Sequence, residues 1–344
     1  MAKLIDHIAA LTSASDFDAL DAALAEALLD LLDPASVSIF CTLGEAHDKR
    51  WFERVRLRPG APAQVCDPLW LELDELPPLA SMPQRLACLG SRESLALLPD
   101  SALPLHRLLL PLMTSEQVTG VVELTSGRPL PATTEHVFSS LHRSYRNSHA
   151  QLDASGRDGL TGLQNRQAFG AIFSAAAWGN APTIAAPATP VPVERRHLAS
   201  SDVYWLGLID LDHFKGVNAQ HGHLAGDALL VQIARLLADT LRYYDRLYRF
   251  GGGEFVLLLR CPDTEAARVA LQRFRARLAA TDFAPVGALT ASAGFTMLMP
   301  EDLPSGALAR AERALFAAKD QGRDRVVCDA DLPDATLDAK GEWQ

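Results

Sequence analysis

The residues best suited to chemistry gather in the second half of the chain, and their types point to an anionic ligand. Leu206-Gly207-Leu208-Ile209 reads as a buried strand, and Asp210 sits at its carboxyl end, where α/β folds place reactive groups. Lys215, Asn218 and Asp227 follow at short intervals. Further on, Arg249-Phe250-Gly251-Gly252-Gly253-Glu254-Phe255 sets three consecutive glycines and a carboxylate between two β-like runs, 246–250 and 255–260. Glycine tolerates positive φ and lacks a Cβ, so this stretch predicts a tight hairpin that a ligand can approach closely. Arg242 and Asp245 stand just ahead of it and pair a forked cation with an acceptor. Lys319 and Arg323 close a later helix with cations suited to phosphate. Taken singly, each feature has a plainer reading: a glycine-rich turn, a capped helix, cations favoured by a helix C-terminus.

These positions need a scaffold, and length bounds it. A chain of 344 residues accommodates about two domains. Hydrophobic residues at 48% and charged residues at 22% are ordinary for a globular protein with sizeable cores. The formal charge of −10 argues against a general nucleic-acid binder, which needs a basic face, but not against a nucleotide held by a few cations. Cys41, Cys66, Cys88, Cys261 and Cys328 form no Cys-x-x-Cys pair, so free thiols in a reducing compartment are expected and not a metal site. The start, Met1-Ala2-Lys3-Leu4-Ile5-Asp6, meets acidic residues too soon for a signal peptide. No run approaches the ~18 apolar residues that span a bilayer. The expectation is a cytoplasmic protein with no membrane span and no nucleic-acid partner.

In the first half, helical spacing over 4–32 is broken at Ser15/Asp16, and 37–43 and 51–57 alternate as strands. The proline-rich stretch 59–104 resists assignment. Residues 106–113 and 118–125 read as strands joined by the turn 114–117, and 133–152 as a helix striped by Val137, Leu141, Tyr145, Ser148 and Leu152. That stripe serves equally to pair with a second chain or to pack on its own domain. In the second half, 163–178 and 264–280 read as helices and 289–298 as a strand. The last helix turns Leu308, Ala311, Leu315 and Ala318 inward. The segment 179–201, with Pro182, Pro187, Pro190 and Pro192, reads as a flexible surface insertion.

Five motifs from residue 158 onward occur in the order of the GGDEF family, the diguanylate cyclases, and the stretch 158–328 resembles a member of it. They are Asp158-Gly159-Leu160-Thr161-Gly162-Leu163-Gln164-Asn165-Arg166, the run from Asp210 to Asp227, Arg242-x-x-Asp245, the glycine hairpin, and Lys319-x-x-Gly322-Arg323. In the first, Asp158 and Arg166 are expected to fix the linker and Thr161 to cap the next helix. The resemblance implies a central mixed sheet flanked by helices, and two GTP condensed to cyclic di-GMP by a homodimer with Mg²⁺ or Mn²⁺. It implies metal contacts at Asp210, the Leu211 carbonyl and Glu254. It implies triphosphate contacts at His213, Phe214, Lys215, Lys319 and Arg323, with Lys215 and Glu254 as catalytic residues. Asn218 and Asp227 would read guanine, and Arg242 with Asp245 would form an inhibitory cyclic di-GMP site.

The departure is Gly253, where the family carries a carboxylate that shares the metal. Glu254 is next to it, but neighbours on a strand point to opposite faces. Losing such a group is expected to cost ~3–4 kcal/mol of transition-state stabilisation, or ~10²–10³ in rate. The favoured reading is a cyclic di-GMP binding protein with weak or no cyclase activity. An active cyclase and a GTP-binding regulator without turnover are the alternatives.

Residues 1–130, with helix, strands, variable middle and final strand pair, resemble a GAF-like sensor domain, whose ligand or partner protein the sequence does not name. The expected map is an α/β (α+β) protein of two domains. The sensor over 1–130 and a connecting helix over 131–157 precede the GGDEF domain over 158–328 and a tail over 329–344.

Overall fold

The computed structural model describes residues 2–44, 48–66, 68, 71, 73–100, 103–114, 118–131, 133–179, 202–242 and 244–333. The expected insertion beyond Gly179, the tail beyond residue 333 and His47 lie outside them. The described chain divides between Ser155 and Gly156 into two units.

The first unit opens with α1 (Ala2–Thr12) and α2 (Phe17–Leu32), which break where the sequence predicts. The Asp16 carboxylate caps α2 by accepting from the Ala19 amide at 2.8 Å, and Asp33 ends it in the left-handed region. β1 (Ser36–Leu43), β2 (Arg50–Leu57), β3 (Gln64–Val65), α3 (Pro83–Ser91), β4 (Leu95–Leu97), β5 (His106–Met113), β6 (Val118–Ser126) and α4 (Thr134–Ser155) follow. The proline-rich stretch thus supplies β3, α3 and β4. All six strands pair antiparallel in the order β3-β2-β1-β6-β5-β4. Ile39, Val55, Leu110 and Val122 face α1, α2 and α4, and Trp51, Leu109 and Val121 face α3. Alternation separates the two sets, with a register shift in the β1–β2 ladder turning Trp51 and Val55 to opposite faces.

α4 uses its stripe inside this unit. Phe138, Leu141, Tyr145 and Ser148 are buried, the first three in one core with Leu11 of α1 and Leu20 and Leu24 of α2. Each large apolar side chain so buried contributes about 1.5–3 kcal/mol. The Tyr145 hydroxyl donates to the buried Asp21 at 2.7 Å, and Arg54 Nε donates to the other oxygen of that carboxylate at 2.8 Å. Burial pushes the Asp21 carboxyl above its ordinary range against the pull of Arg54.

In the second unit, β7 (Gln164–Asn165), α5 (Arg166–Gly179), β8 (Val203–Leu211), α6 (Phe214–His221), α7 (His223–Ala238), β9 (Arg246–Gly251), β10 (Glu254–Cys261), α8 (Thr264–Ala280), β11 (Ala291–Met297), α9 (Pro304–Asp320) and β12 (Val326–Cys328) build a second sheet. Its order is β12-β11-β8-β10-β9-β7. The sheet is mixed: β12 on β11 and β7 on β9 are parallel, and the ladders between them are antiparallel. β8 lies inside it and is apolar along its length because both faces are covered. Ile209 and Leu211 join the core with Leu230 and Ile233 of α7 and Leu271 and Phe274 of α8.

α9 covers the other face through Ala307, Ala311, Ala314 and Ala318. Ala311 and Ala318 were expected there; Leu308 and Leu315 turn to the sheet too, half-buried, and line a cavity of about 100 Å³ with Leu208 and Val256 and with Arg166, Phe250, Glu254 and Glu312. A Cβ on Gly294 of β11 would come within 2.1 Å of the Leu315 amide nitrogen and 2.4 Å of the Ala311 carbonyl oxygen. The helix backbone lies directly on the strand, so small residues alone fit the contact.

Candidate functional site

β8 delivers Asp210 to its carboxyl end, opposite Glu254 of β10 and Ser292 of β11. Residues paired across a ladder share a face, so Asp210 and Glu254 lie on the same side of the sheet. Lys319, in the last turn of α9, forms an ion pair with Asp210 Oδ2. Arg323 is exposed beyond the end of α9, where Gly322, Arg323 and Asp324 take φ of 109°, 62° and 44°. The structure therefore joins Asp210 to Lys319 and leaves Arg323 on the turn next to them in sequence.

Gly253 looks the other way. A Cβ built on it would meet Leu211 Cβ at 3.3 Å and the Phe214 ring at 3.4 Å, so a side chain here would project toward the start of α6. The Gly253 carbonyl accepts from the Leu211 amide at 3.2 Å. As alternation requires, positions 253 and 254 address opposite faces.

His213 leads into α6 with φ 59°, and His213 and Lys215 are exposed while Phe214 is half-buried. Asn218 on α6 turns toward Gly226 on α7, where a Cβ would fall 1.8 Å from Asn218 Oδ1. Only glycine at 226 leaves room for that amide. Asn218 Oδ1 is buried and accepts no hydrogen bond. An unmet buried acceptor costs about 1–3 kcal/mol, a deficit that a ligand donor would remove. Asp227, one residue beyond Gly226, is exposed.

The hairpin is held from behind. Arg249, 9% exposed, donates from Nη1 to Asp158 Oδ1 at 2.7 Å, and from Nε and Nη2 to the Gly252 carbonyl at 3.2 and 3.0 Å. Asp158 also accepts from the Thr161 amide and hydroxyl at 2.9 and 2.6 Å. Burial pushes the Asp158 carboxyl up, but the bonds from Thr161 and Arg249 outweigh it and hold it below the usual carboxylate range. Two expectations are corrected here. Thr161 does not cap α5, because β7 intervenes; Asn165 Oδ1 caps it, accepting from the Gln167 and Ala168 amides at 2.9 and 3.1 Å. Arg166 does not join Asp158: it lies over the Phe250 ring, 5.4 Å from its centroid, and Asp158 is held by Arg249 within the second unit.

Asp212 is a residue to which the sequence assigns no role. It is 3% exposed; its carboxylate accepts from the Thr290 and Ser292 hydroxyls, each at 2.7 Å, and from the Asp324 amide at 3.1 Å. The Asp-Leu-Asp spacing, which puts both carboxylates on one side of a strand, is the signal that marks it.

Arg242 and Asp245 line a second cavity, of about 50 Å³, with Arg260, Val269 and Arg273. Asp245 spends its oxygens on backbone amides, accepting from Arg242 of its own turn at 2.9 Å and from Arg260 of β10 at 3.1 Å. Burial pushes its carboxyl above the ordinary range against those amides. Arg242 is exposed, with Nη1 donating to the Tyr244 hydroxyl at 3.3 Å. Arg273 Nη2 donates to the Thr240 carbonyl at 2.8 Å, and the Arg260 guanidinium sits 5.6 Å from the Tyr244 ring centroid. Arg260 and Arg273 come from β10 and α8, too far along the chain for a local motif to include them. Arg260, an arginine after the apolar run 255–259 of β10, is the one trace in the sequence, and Arg273 leaves none.

Among the described residues, no three His, Cys, Asp or Glu side chains converge as a metal cluster. Asp210 is tied to an ammonium, and Gly253 contributes no side-chain oxygen. Asp210, tied to an ammonium, and Glu254 opposite it are the carboxylates on this side of the sheet, and with glycine at 253 the donor set falls one carboxylate short of a shared site for a pair of divalent cations.

The family described as "Diguanylate cyclase, GGDEF domain" matches residues 194–325. The chain is 38% identical over 208 residues to Diguanylate cyclase DgcP of Pseudomonas aeruginosa, covering 58% of this chain and 28% of that protein. It is 32% identical over 174 residues to Diguanylate cyclase DgcM of Escherichia coli, covering 51% of this chain and 38% of that one. The chain thus spans less than half the length of these relatives. A crystal structure of a sensory box/GGDEF family protein from Caulobacter crescentus is 36% identical and covers 48% of this chain and 99% of that one, with a TM-score of 0.39.

Proposed function

We propose that this chain, whose second unit is a GGDEF domain of the diguanylate cyclase family, is a cyclic di-GMP signalling protein that binds its ligand at Arg242 and turns GTP over weakly or not at all. The observation that carries this reading is the signature hairpin: Gly253 supplies no carboxylate, and Asp210 is already paired with Lys319. What remains is recognition chemistry. The cavity at Arg242 gathers Arg260 and Arg273 beside it, and guanidinium forks suit both phosphate and the O6/N7 edge of guanine. Asp245 supports the site by shaping the turn, its oxygens being engaged by backbone amides.

The guanine-reading side is preserved. Asn218 Oδ1 offers an unmet acceptor to the N1 and N2 donors of guanine, Asp227 stands near it in sequence, and Lys215, Lys319 and Arg323 supply cations for phosphates. This supports GTP binding without turnover as a second property of the same domain. An active cyclase condensing two GTP is favoured by one observation, Glu254 opposite Asp210 in the ladder. The first unit, a sheet covered by helices on both faces, serves in this reading as a GAF-like sensor. α4 has spent its stripe on α1 and α2, so dimerisation rests on the geometry of condensing two GTP and not on a helix pair.

Two measurements test the reading. Incubation of the full chain with GTP and Mg²⁺ should yield little cyclic di-GMP; turnover near ~1 s⁻¹, within the ordinary enzyme range, overturns it. Calorimetric titration with cyclic di-GMP should give saturable binding that Arg242→Ala weakens by about tenfold or more, the worth of a forked guanidinium contact. Equal affinity in the variant excludes this site.

A further inference from the structure

We propose that Asp212, with the strained turn after α9, is a positioning device for Arg323 and so sets how well the site tells a nucleoside triphosphate from a monophosphate. This rests on the reading that Arg323 meets terminal phosphates. Asp212 is almost fully buried, one turn of strand beyond Asp210, and its carboxylate joins three segments. It receives hydrogen bonds from Thr290 before β11, from Ser292 within β11, and from the amide of Asp324. Its own amide donates to the Thr290 carbonyl at 2.9 Å.

The turn itself gives the second observation. Gly322, Arg323 and Asp324 all have positive φ, and two of them carry side chains that disfavour it. Such strain persists only where the surroundings over-determine the backbone, and it clusters at ligand clamps. Here the surroundings are visible on both flanks. Asp212 holds the Asp324 amide from the β8 side. Arg275 of α8 donates to Asp324 Oδ1 at 2.8 Å and to its carbonyl at 3.1 Å from the other. The Arg325 carbonyl accepts from Ala293 of β11 at 2.8 Å. These pins lie just after Arg323, whose own amide donates to the Ala318 carbonyl of α9 at 3.0 Å, and between the helix and the pinned residues its side chain stands exposed. Lys319 needs no such device, because the body of α9 fixes it. Asp212 engages two hydroxyls and an amide, so the turn needs an acceptor at that place and not a negative charge.

The test measures affinities of the full chain for GTP and GMP by calorimetry, in the parent and in Asp212→Ala, Asp212→Asn, Arg323→Ala and Asp324→Gly. Asp212→Ala should lower the GTP/GMP affinity ratio by about tenfold, one charge-assisted hydrogen bond, toward the value of Arg323→Ala, with GMP affinity little changed. Asp212→Asn, whose amide oxygen can still face Asp324 while its NH₂ turns to Ser292, should rescue the ratio. Asp324→Gly relieves the strain and removes the side-chain half of the Arg275 pin, and should lower the ratio even if Asp212→Ala does not fold. A ratio unchanged in Asp212→Ala or Asp324→Gly overturns the proposal, as does a loss of GTP and GMP affinity in parallel. If the parent does not prefer GTP, or Arg323→Ala keeps the preference, the phosphate reading fails first and this one with it.

Discussion

Replacing Arg249 with alanine tests the idea that the signature hairpin is held by the residues at the start of its domain. The substitution deletes an ion pair of 2.7 Å to Asp158 and two hydrogen bonds, 3.0 and 3.2 Å, to the Gly252 carbonyl. Breaking a buried pair by removing one partner costs ~3–5 kcal/mol, because the other charge is left desolvated. The side chains here are 9% and 20% exposed, so water partly rescues Asp158 and about 2–3 kcal/mol is the expected loss. A domain of 150–250 residues shifts by ~2–4 °C per kcal/mol, which places the drop in the melting point of the second unit at ~4–12 °C. Thermal unfolding of Arg249→Ala, Asp158→Ala and the double variant reads this directly. The coupling between the two sites should reach at least about 1 kcal/mol, since contacting partners are non-additive. Arg249→Lys keeps the charge but not the fork, and should recover less than half of the loss. Coupling below about 0.5 kcal/mol, the scatter of independent sites, would refute the clamp.

The same carboxylate gives a pH prediction. The Asp158 pKa is lowered in the folded chain, so the unfolded chain binds the proton more readily. Its stabilisation is present above the unfolded value of ~3.9 and is lost as pH falls through the folded value; Asp158→Asn should flatten the acid limb below about pH 4, and an unaltered limb counts against it. Gly226→Ala places a Cβ 1.8 Å from Asn218 Oδ1, the mobile end of a side chain that can swing away. Thermal stability should therefore change by less than about 1 kcal/mol while GTP affinity falls about tenfold and cyclic di-GMP affinity at Arg242 stays; unchanged GTP affinity would remove Asn218 from the guanine site.

Much of the scaffold was legible because local physics agrees with the global fold. The strands around Val37 and Val55 were found by alternation, those around Leu110 and Val122 by the polar turn between them, and α8 was read over 264–280, where the structure adds the Asp263 cap, whose carboxylate accepts from the Ala266 amide. The errors fall where a partner distant in sequence decides. Leu308 and Leu315 were read as buried together with Ala311 and Ala318, yet Gly294 brings the strand so close that alanines fill the contact and the two leucines stay half-buried at a cavity beside it. Thr161 looked like a cap, yet β7 separates it from α5. The proline-rich middle of the first unit hid β3, α3 and β4, because short edge strands carry too few residues for a period.

The sequence by itself determined which chemistry the chain can offer. Residue type and spacing named the glycine hairpin and the cations, and the resemblance to the GGDEF family that this order carries implied the guanine-reading pair and the missing carboxylate at Gly253. Only the tertiary structure decided which of those groups meet. It paired Asp210 with Lys319, brought Arg260 and Arg273 to Arg242, tied Arg249 to Asp158, and gave Asp212 a turn to hold. The physical reason is range. Propensity and alternation act over a few residues, whereas the ion pairs and hydrogen bonds that assemble this site close loops of fifteen to more than a hundred residues, and nothing local records where such loops close.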